Sequence, residues 1–167
     1  MRGDGLGLRH VWVGMMRIAE KSGLLEAMEQ RMQPVLNFLF PEIPGNHPSR
    51  KSIATNLLAN VLGLGWAATP AGLKAMEELS DLEEERRRKK QRAVAVGAAS
   101  NEMCDFLILN ISSLQLIPVN IIAFRTEYGS VTPTAIVGPA ILATAISTGA
   151  AVLYIQTKKL DGQTGKS

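Results

Sequence analysis

An all-α membrane protein with interrupted, re-entrant helices is the fold class this sequence predicts, and three observations carry the expectation. Apolar residues recur at helical spacing along most of the chain, and no window alternates apolar and polar residues between turn signals as a strand would. Charge gathers at 74–92 and near the two ends, which leaves 103–124 and 133–156 as apolar runs longer than about 18 residues, suited to a bilayer boundary. Glycine, proline and asparagine interrupt the apolar stretches, as in membrane proteins whose broken helices line a cavity.

The averages conceal this segregation. The 167 residues point to one domain, and 46% hydrophobic with 20% charged residues lies within the range of soluble proteins. A net charge of +3 would admit a nucleic-acid partner, but only 5% of residues are aromatic and no basic, aromatic-interleaved surface appears. Nucleic acid is therefore not expected. The single cysteine, Cys104, excludes an internal disulfide and a Cys-rich metal site, and its apolar neighbours read as those of an inert buried thiol. His10 and His47 fall in loops without ligand-spaced partners, so neither a metal nor a catalytic triad is expected. Gly63, Gly65 and Ala68 match GxGxxA, with Glu83 about 20 residues further on. A helical pattern carrying Asn56 and Asn60 precedes that match instead of a strand, and Pro70 stands where the next helix should run. No cofactor and no enzymatic activity are expected.

In chain order, residues 1–10 read as a flexible start, and Val11 to Lys21 as a helix, with Ser22-Gly23 ending it or capping the next. Leu24, Leu25, Met28, Met32, Val35, Leu36 and Leu39 then recur on one face, opposite Glu26, Glu29, Gln30 and Gln33. The spacing predicts an amphipathic helix kinked or interrupted at Pro34. PEIPGNHPS, with three prolines and a glycine, predicts an irregular connection.

Arg50 to Met76 is the organising stretch. Asn56 and Asn60, four apart, share a helical face. Gly63, Gly65 and the Thr69-Pro70 pair divide the segment into two half-helices. Ser80 with Glu83 has the spacing of a capping box, and Glu83, Glu84 and Glu85 precede Arg87, Arg88 and Lys89 by four in the order that favours helical ion pairs. That run predicts a solvated cytoplasmic helix, with anionic lipid headgroups as the lesser alternative. Beyond Ala93 the chain turns apolar with Glu102, Asp105, Asn110, Ser112 and Ser113 embedded, and Pro118 marks a second break. Glu102 and Asp105 share one face at an apolar boundary, where a proton or cation role is open to them. The polar groups nearest the two breaks, Asn56, Asn60, Thr69, Asn110 and Ser113, are the candidate substrate-binding lining, with Trp66 set to plug the cavity or anchor at the interface. The bland alternative is that these side chains only join helices by hydrogen bonds.

Thr132 and Pro133 open a final helix that runs uncharged to Gln156, with small faces at Ala143, Ser147 and Ala151 and at Ala145 and Gly149. Residues 157–167 read as a disordered tail. Seven Lys or Arg at 74–92 place that segment in the cytoplasm. With Arg50 and Lys51 on its other flank, the first broken segment becomes re-entrant. Two crossings follow, one ending near Phe124 and one at 133–156, with both termini inside.

The string NxxANxxGLGxAATPxGLKAM at 56–76, with IAEKSGL at 18–24, LFPEIP at 39–44 and SNEMCDFLILNISSLQLIPVNIIAFRTEYGSVTP at 100–133, resembles the spore maturation proteins of the nucleoside-recognition, or gate-domain, group of bacterial membrane proteins. The resemblance runs from Val11 to Tyr154, so 11–156 is taken as one gate-like domain. It implies further hydrophobic segments ahead of IAEKSGL and a small or polar residue at the position of Trp66. It also implies an integral, multi-pass cell-membrane protein acting in maturation and dehydration of the spore core beside a spore maturation protein B-like membrane partner, with a homo-oligomer as a further possibility. Transport or gating of a small polar solute, and a structural subunit that carries nothing, are the two functional classes left open.

Overall fold

A computed structural model describes residues 24–112 and 115–164, with the backbone alone at 24–29, 66–67 and 161–164. The expected flexible start at 1–10 and the helix at 11–21 lie outside the described residues. Those residues are all-α: helices α1 (Leu24–Leu39), α2 (Pro48–Val61), α3 (Gly65–Arg88), α4 (Asn101–Ser112), α5 (Val119–Glu127) and α6 (Val137–Thr164), the last preceded by a 3-10 turn at Pro133–Ile136.

α1 runs through Pro34 without interruption. Leu36 and Leu39 are buried and Met32 packs against them, whereas Val35 points outward. The proline-rich connection is shorter than expected, because Pro48 is the first residue of α2, where its missing N–H leaves nothing unsatisfied. His47 caps that helix: its Nδ1 accepts from the Ser49 backbone N–H at 3.3 Å. The expected surface histidine thus has a structural task.

The first break falls at Leu62–Leu64 and not at Thr69-Pro70. Gly63 takes φ +73°. Its N–H donates to the Asn60 carbonyl at 2.9 Å, while the Leu64 N–H donates to the Ala59 carbonyl at 2.8 Å. This paired closure of orphan carbonyls ends a helix most easily with a left-handed glycine. Pro70 instead lies inside α3, which continues for 24 residues through Ser80, so the Ser80–Glu83 pair starts no helix. Beside Pro70, Thr69 Oγ1 donates to the Gly65 carbonyl at 3.1 Å. α2 and α3 therefore form a hairpin around a three-residue turn.

α3 ends in the same type of closure, with Lys90 at φ +54° in the glycine position. Two of the three expected ion pairs form, Glu84–Arg88 and Glu85–Lys89. Glu83 turns inward to Arg86 instead.

The core joins Leu36, Phe40 and Ile43 to Ile53 and Ala54 of α2, Ala75, Leu79 and Leu82 of α3, Met103, Phe106 and Leu109 of α4, and Ile155 of α6. Full burial of each large side chain contributes about 1.5–3 kcal/mol. Arg50 belongs to this interior too. It donates to the Ile43 carbonyl at 3.0 Å, to Gln33 Oε1 at 3.3 Å and to Asn37. The expected flanking charge is thus a buried bolt between α1 and α2. Burial lowers its pKa from the ordinary arginine value.

One helix among the described residues, Pro133–Leu160, is long and apolar enough to cross a membrane, and little of its apolar stretch is buried within the chain. α4 and α5 are each shorter than a bilayer core, so the second expected crossing is not one continuous helix. The last helix also extends past Gln156 to Thr164, which corrects the expected tail at 157–164. Its inward stripe is Thr144, Thr148, Ala151 and Ile155, whereas Ala143 and Ser147 face outward. Thr148 Oγ1 meets Ser112 Oγ at 3.5 Å and Lys158 meets Asp105 at 3.4 Å, so α4 and α6 run antiparallel.

Candidate functional site

The two breaks touch. The Leu116 N–H donates to the Val61 carbonyl at 2.8 Å, so the second interruption satisfies an orphan carbonyl at the end of α2. A Cβ at Gly63 would strike the Ile117 carbonyl, which makes glycine a packing requirement as well as a conformational one.

Side chains close the same junction. Asn60 Nδ2 donates to Asn110 Oδ1 on α4 at 3.1 Å and to Asn56 Oδ1 at 3.3 Å. Asn56, 2% exposed, donates in turn to the Ala68 carbonyl of α3 at 2.8 Å. Asn110 Nδ2 donates to the Phe106 carbonyl at 3.1 Å. Three helices are thus joined by neutral amides, each of which offers both donors and an acceptor. Asn56 fits because Gly72 opposes it: a Cβ there would stand 2.8 Å from Asn56 Nδ2.

These amides border a cavity of about 240 Å3 lined by Asn56, Asn60, Thr69 and Asn110 with Gly65, Ala68, Gly72, Leu73, Met76, Phe106 and Leu107. The lining combines three amides and a hydroxyl with apolar side chains and holds no charged group. Four of the five expected lining residues therefore share one cavity; Ser113 lies outside the described residues, and so does the side chain of Trp66. The apolar lining from α3 and α4 was not legible in the sequence, although Gly72, four residues after Ala68, was the available signal for close approach.

A second polar junction lies toward the charged end of α3. Arg86 meets Glu83 at 2.5 Å and Glu102 at 2.7 Å, and also donates to the Glu42 carbonyl at 2.8 Å. Glu83 Oε2 accepts from the Val94 N–H at 3.0 Å. Glu102 stands just ahead of the apolar run that begins at Met103. Burial alone would raise its pKa, but backbone hydrogen bonding and the Arg86 guanidinium hold the carboxyl below the usual carboxylate range. The same pairings raise Arg86 despite its burial. Glu102 and Asp105 share a face but not a partner, since Asp105 pairs with Lys158. Cys104 is half-buried and free, more accessible than its apolar neighbours suggest. Among the described residues no His, Cys, Asp and Glu group has the arrangement to hold a metal ion.

The chain is 46% identical over 153 residues to spore maturation protein A of Bacillus subtilis (strain 168), an alignment covering 89% of this chain and 73% of that protein. No protein-family model matches the chain, and no solved structure does.

Proposed function

This chain belongs to the spore maturation protein A family, and from that premise we propose that it is an integral, multi-pass cell-membrane protein acting in maturation and dehydration of the spore core. In this reading it is a transport or gating component for a small polar solute. The observation that carries the reading is the asparagine cluster where the two helix breaks meet, beside a cavity without charge. Non-helical backbone at membrane depth is tolerated where it lines such a cavity. Asn56, Asn60, Thr69 and Asn110 hydrogen-bond the solute, and Ser113 joins them. α6 crosses the bilayer alone. α4 and α5, roughly 18 and 14 Å long at helical rise, cross as two halves of an interrupted segment, and the α2–α3 turn enters re-entrantly. The nucleoside-recognition, or gate-domain, relationship belongs to the same proposal.

A second reading rests on the fact that the amides already satisfy one another. Here the protein is a structural subunit that assembles with a spore maturation protein B-like partner and carries nothing. Equilibrium solute binding to the purified complex separates the two. Saturable binding of a neutral solute that Asn60→Ala abolishes supports transport; no binding of any nucleoside, dipicolinate or cation supports the structural subunit. Topology has its own test. Single cysteines at Ser80 and Gly129 in a Cys104→Ser background should react with an impermeant thiol reagent only at Gly129.

A further inference from the structure

We propose that a second cavity, between the end of α1, the start of α4 and the last turns of α6, binds a zwitterion carrying a primary ammonium and a phosphate, the chemistry of a phosphoethanolamine headgroup. The cavity measures about 180 Å3, and its charged lining is Glu42, Arg92, Glu102, Asp105, Lys158 and Lys159. It lies toward the opposite end of α4 from the asparagine cluster, and the inference does not depend on solute transport.

Both signs of charge are present, and the buried carboxylate of Asp105 is held by a long ion pair. Asp105 is 3% exposed, yet its ion pair with Lys158 spans 3.4 Å, against 2.5 and 2.7 Å for the two Arg86 pairs nearby. A carboxylate so buried gains from a further charged donor at ordinary hydrogen-bond distance. A ligand ammonium supplies it. Arg92, in the exposed connection after α3, lines the same cavity together with Lys158 and Lys159, Lys159 donating to the Leu39 carbonyl. These cations suit an oxyanion. A simple anion in this cavity would confront Glu102 and Asp105, and a simple cation would confront Arg92 and the two lysines. A ligand with both charges meets both sets.

The position fits a headgroup. Lys158 and Lys159 follow the uncharged stretch of the membrane-crossing helix, where long basic side chains reach the interface, and Leu39 and Phe40 give the cavity an apolar wall. A phospholipid headgroup and free phosphoethanolamine share this chemistry.

The test is lipid retention by the full chain, purified in detergent and read by native mass spectrometry. Phosphatidylethanolamine should be retained about tenfold over phosphatidylcholine, whose quaternary ammonium donates no hydrogen bond. Asp105→Asn should erase that preference. Arg92→Gln, on an exposed loop, should lower phosphatidylethanolamine retention with the thermal melt unchanged, which keeps the test valid if Asp105→Asn fails to fold. Displacement by millimolar phosphoethanolamine assigns the soluble source, and retention against it assigns the lipid. Equal retention of phosphatidylcholine, stronger retention of phosphatidylglycerol, or an Arg92→Gln variant that retains lipid like the parent overturns the proposal.

Discussion

Two of the polar junctions in this helical protein are built in opposite ways. At the charged end, Arg86 joins two carboxylates and a carbonyl from three parts of the chain. At the breaks, Asn56, Asn60 and Asn110 join three helices through neutral amides at the edge of a cavity. Buried charges tolerate no loss of a partner, since removing one leaves an uncompensated ion. Amides form weaker bonds and can exchange one partner for another, including a ligand. The loss of a partner should therefore cost the charged junction more than the amide junction.

The largest expected effect attacks the charged junction. Arg86→Met strands Glu83 and Glu102 and should destabilise the protein by about 3–5 kcal/mol, read as a fall in the thermal midpoint in detergent. A loss under about 1 kcal/mol would show that water, not Arg86, satisfies those carboxylates. The same junction should be acid-sensitive. The folded-state pKa of Glu102 is depressed, so its contribution is complete above the ordinary carboxylate range and disappears as pH falls through the folded value. Removing Arg86 should flatten that acid limb of the melting curve.

At the breaks, Gly63→Val forces a β-branched residue to φ +73° and against the Ile117 carbonyl. It should cost more than about 1 kcal/mol and also abolish solute binding, because both breaks shift. Gly72→Ala should cost about 1 kcal/mol by pushing Asn56 off the Ala68 carbonyl. Asn60→Ala removes two bonds of about 0.6 kcal/mol each, so stability should change little while binding disappears. If Asn60→Ala instead destabilises the protein as much as Arg86→Met does, the two junctions are alike and the contrast fails. Glu84→Gln breaks an ion pair on the exposed face of α3 and should leave the melt unchanged.

The sequence by itself determined the helical class, the presence of two interruptions and the identity of the polar residues beside them. Helical periodicity and the exclusion of unpaired polar groups from apolar segments are local rules that need no partner. Asn56 and Asn60, four apart, were on one face from the outset. What local rules could not reach was the choice among breakers. Gly63 ends α2 because its left-handed turn closes two carbonyls and admits the Ile117 backbone, whereas Pro70 is carried through a helix held by its packing on α2. Arg50 read as a flanking positive charge and Glu83 as part of a solvated helix, and burial against partners 7 to 17 positions away for Arg50, and 11 for Glu83, turned them inward. Likewise Thr148 meets α4 and Thr144 the Gln115 carbonyl just beyond it, while the smaller Ala143 and Ser147 face outward, since the rotation of a uniformly apolar helix is decided only by the surface it meets. Tertiary contact alone brought Asn110 to Asn60 across 50 residues, for a single amide carries no record of its distant partner.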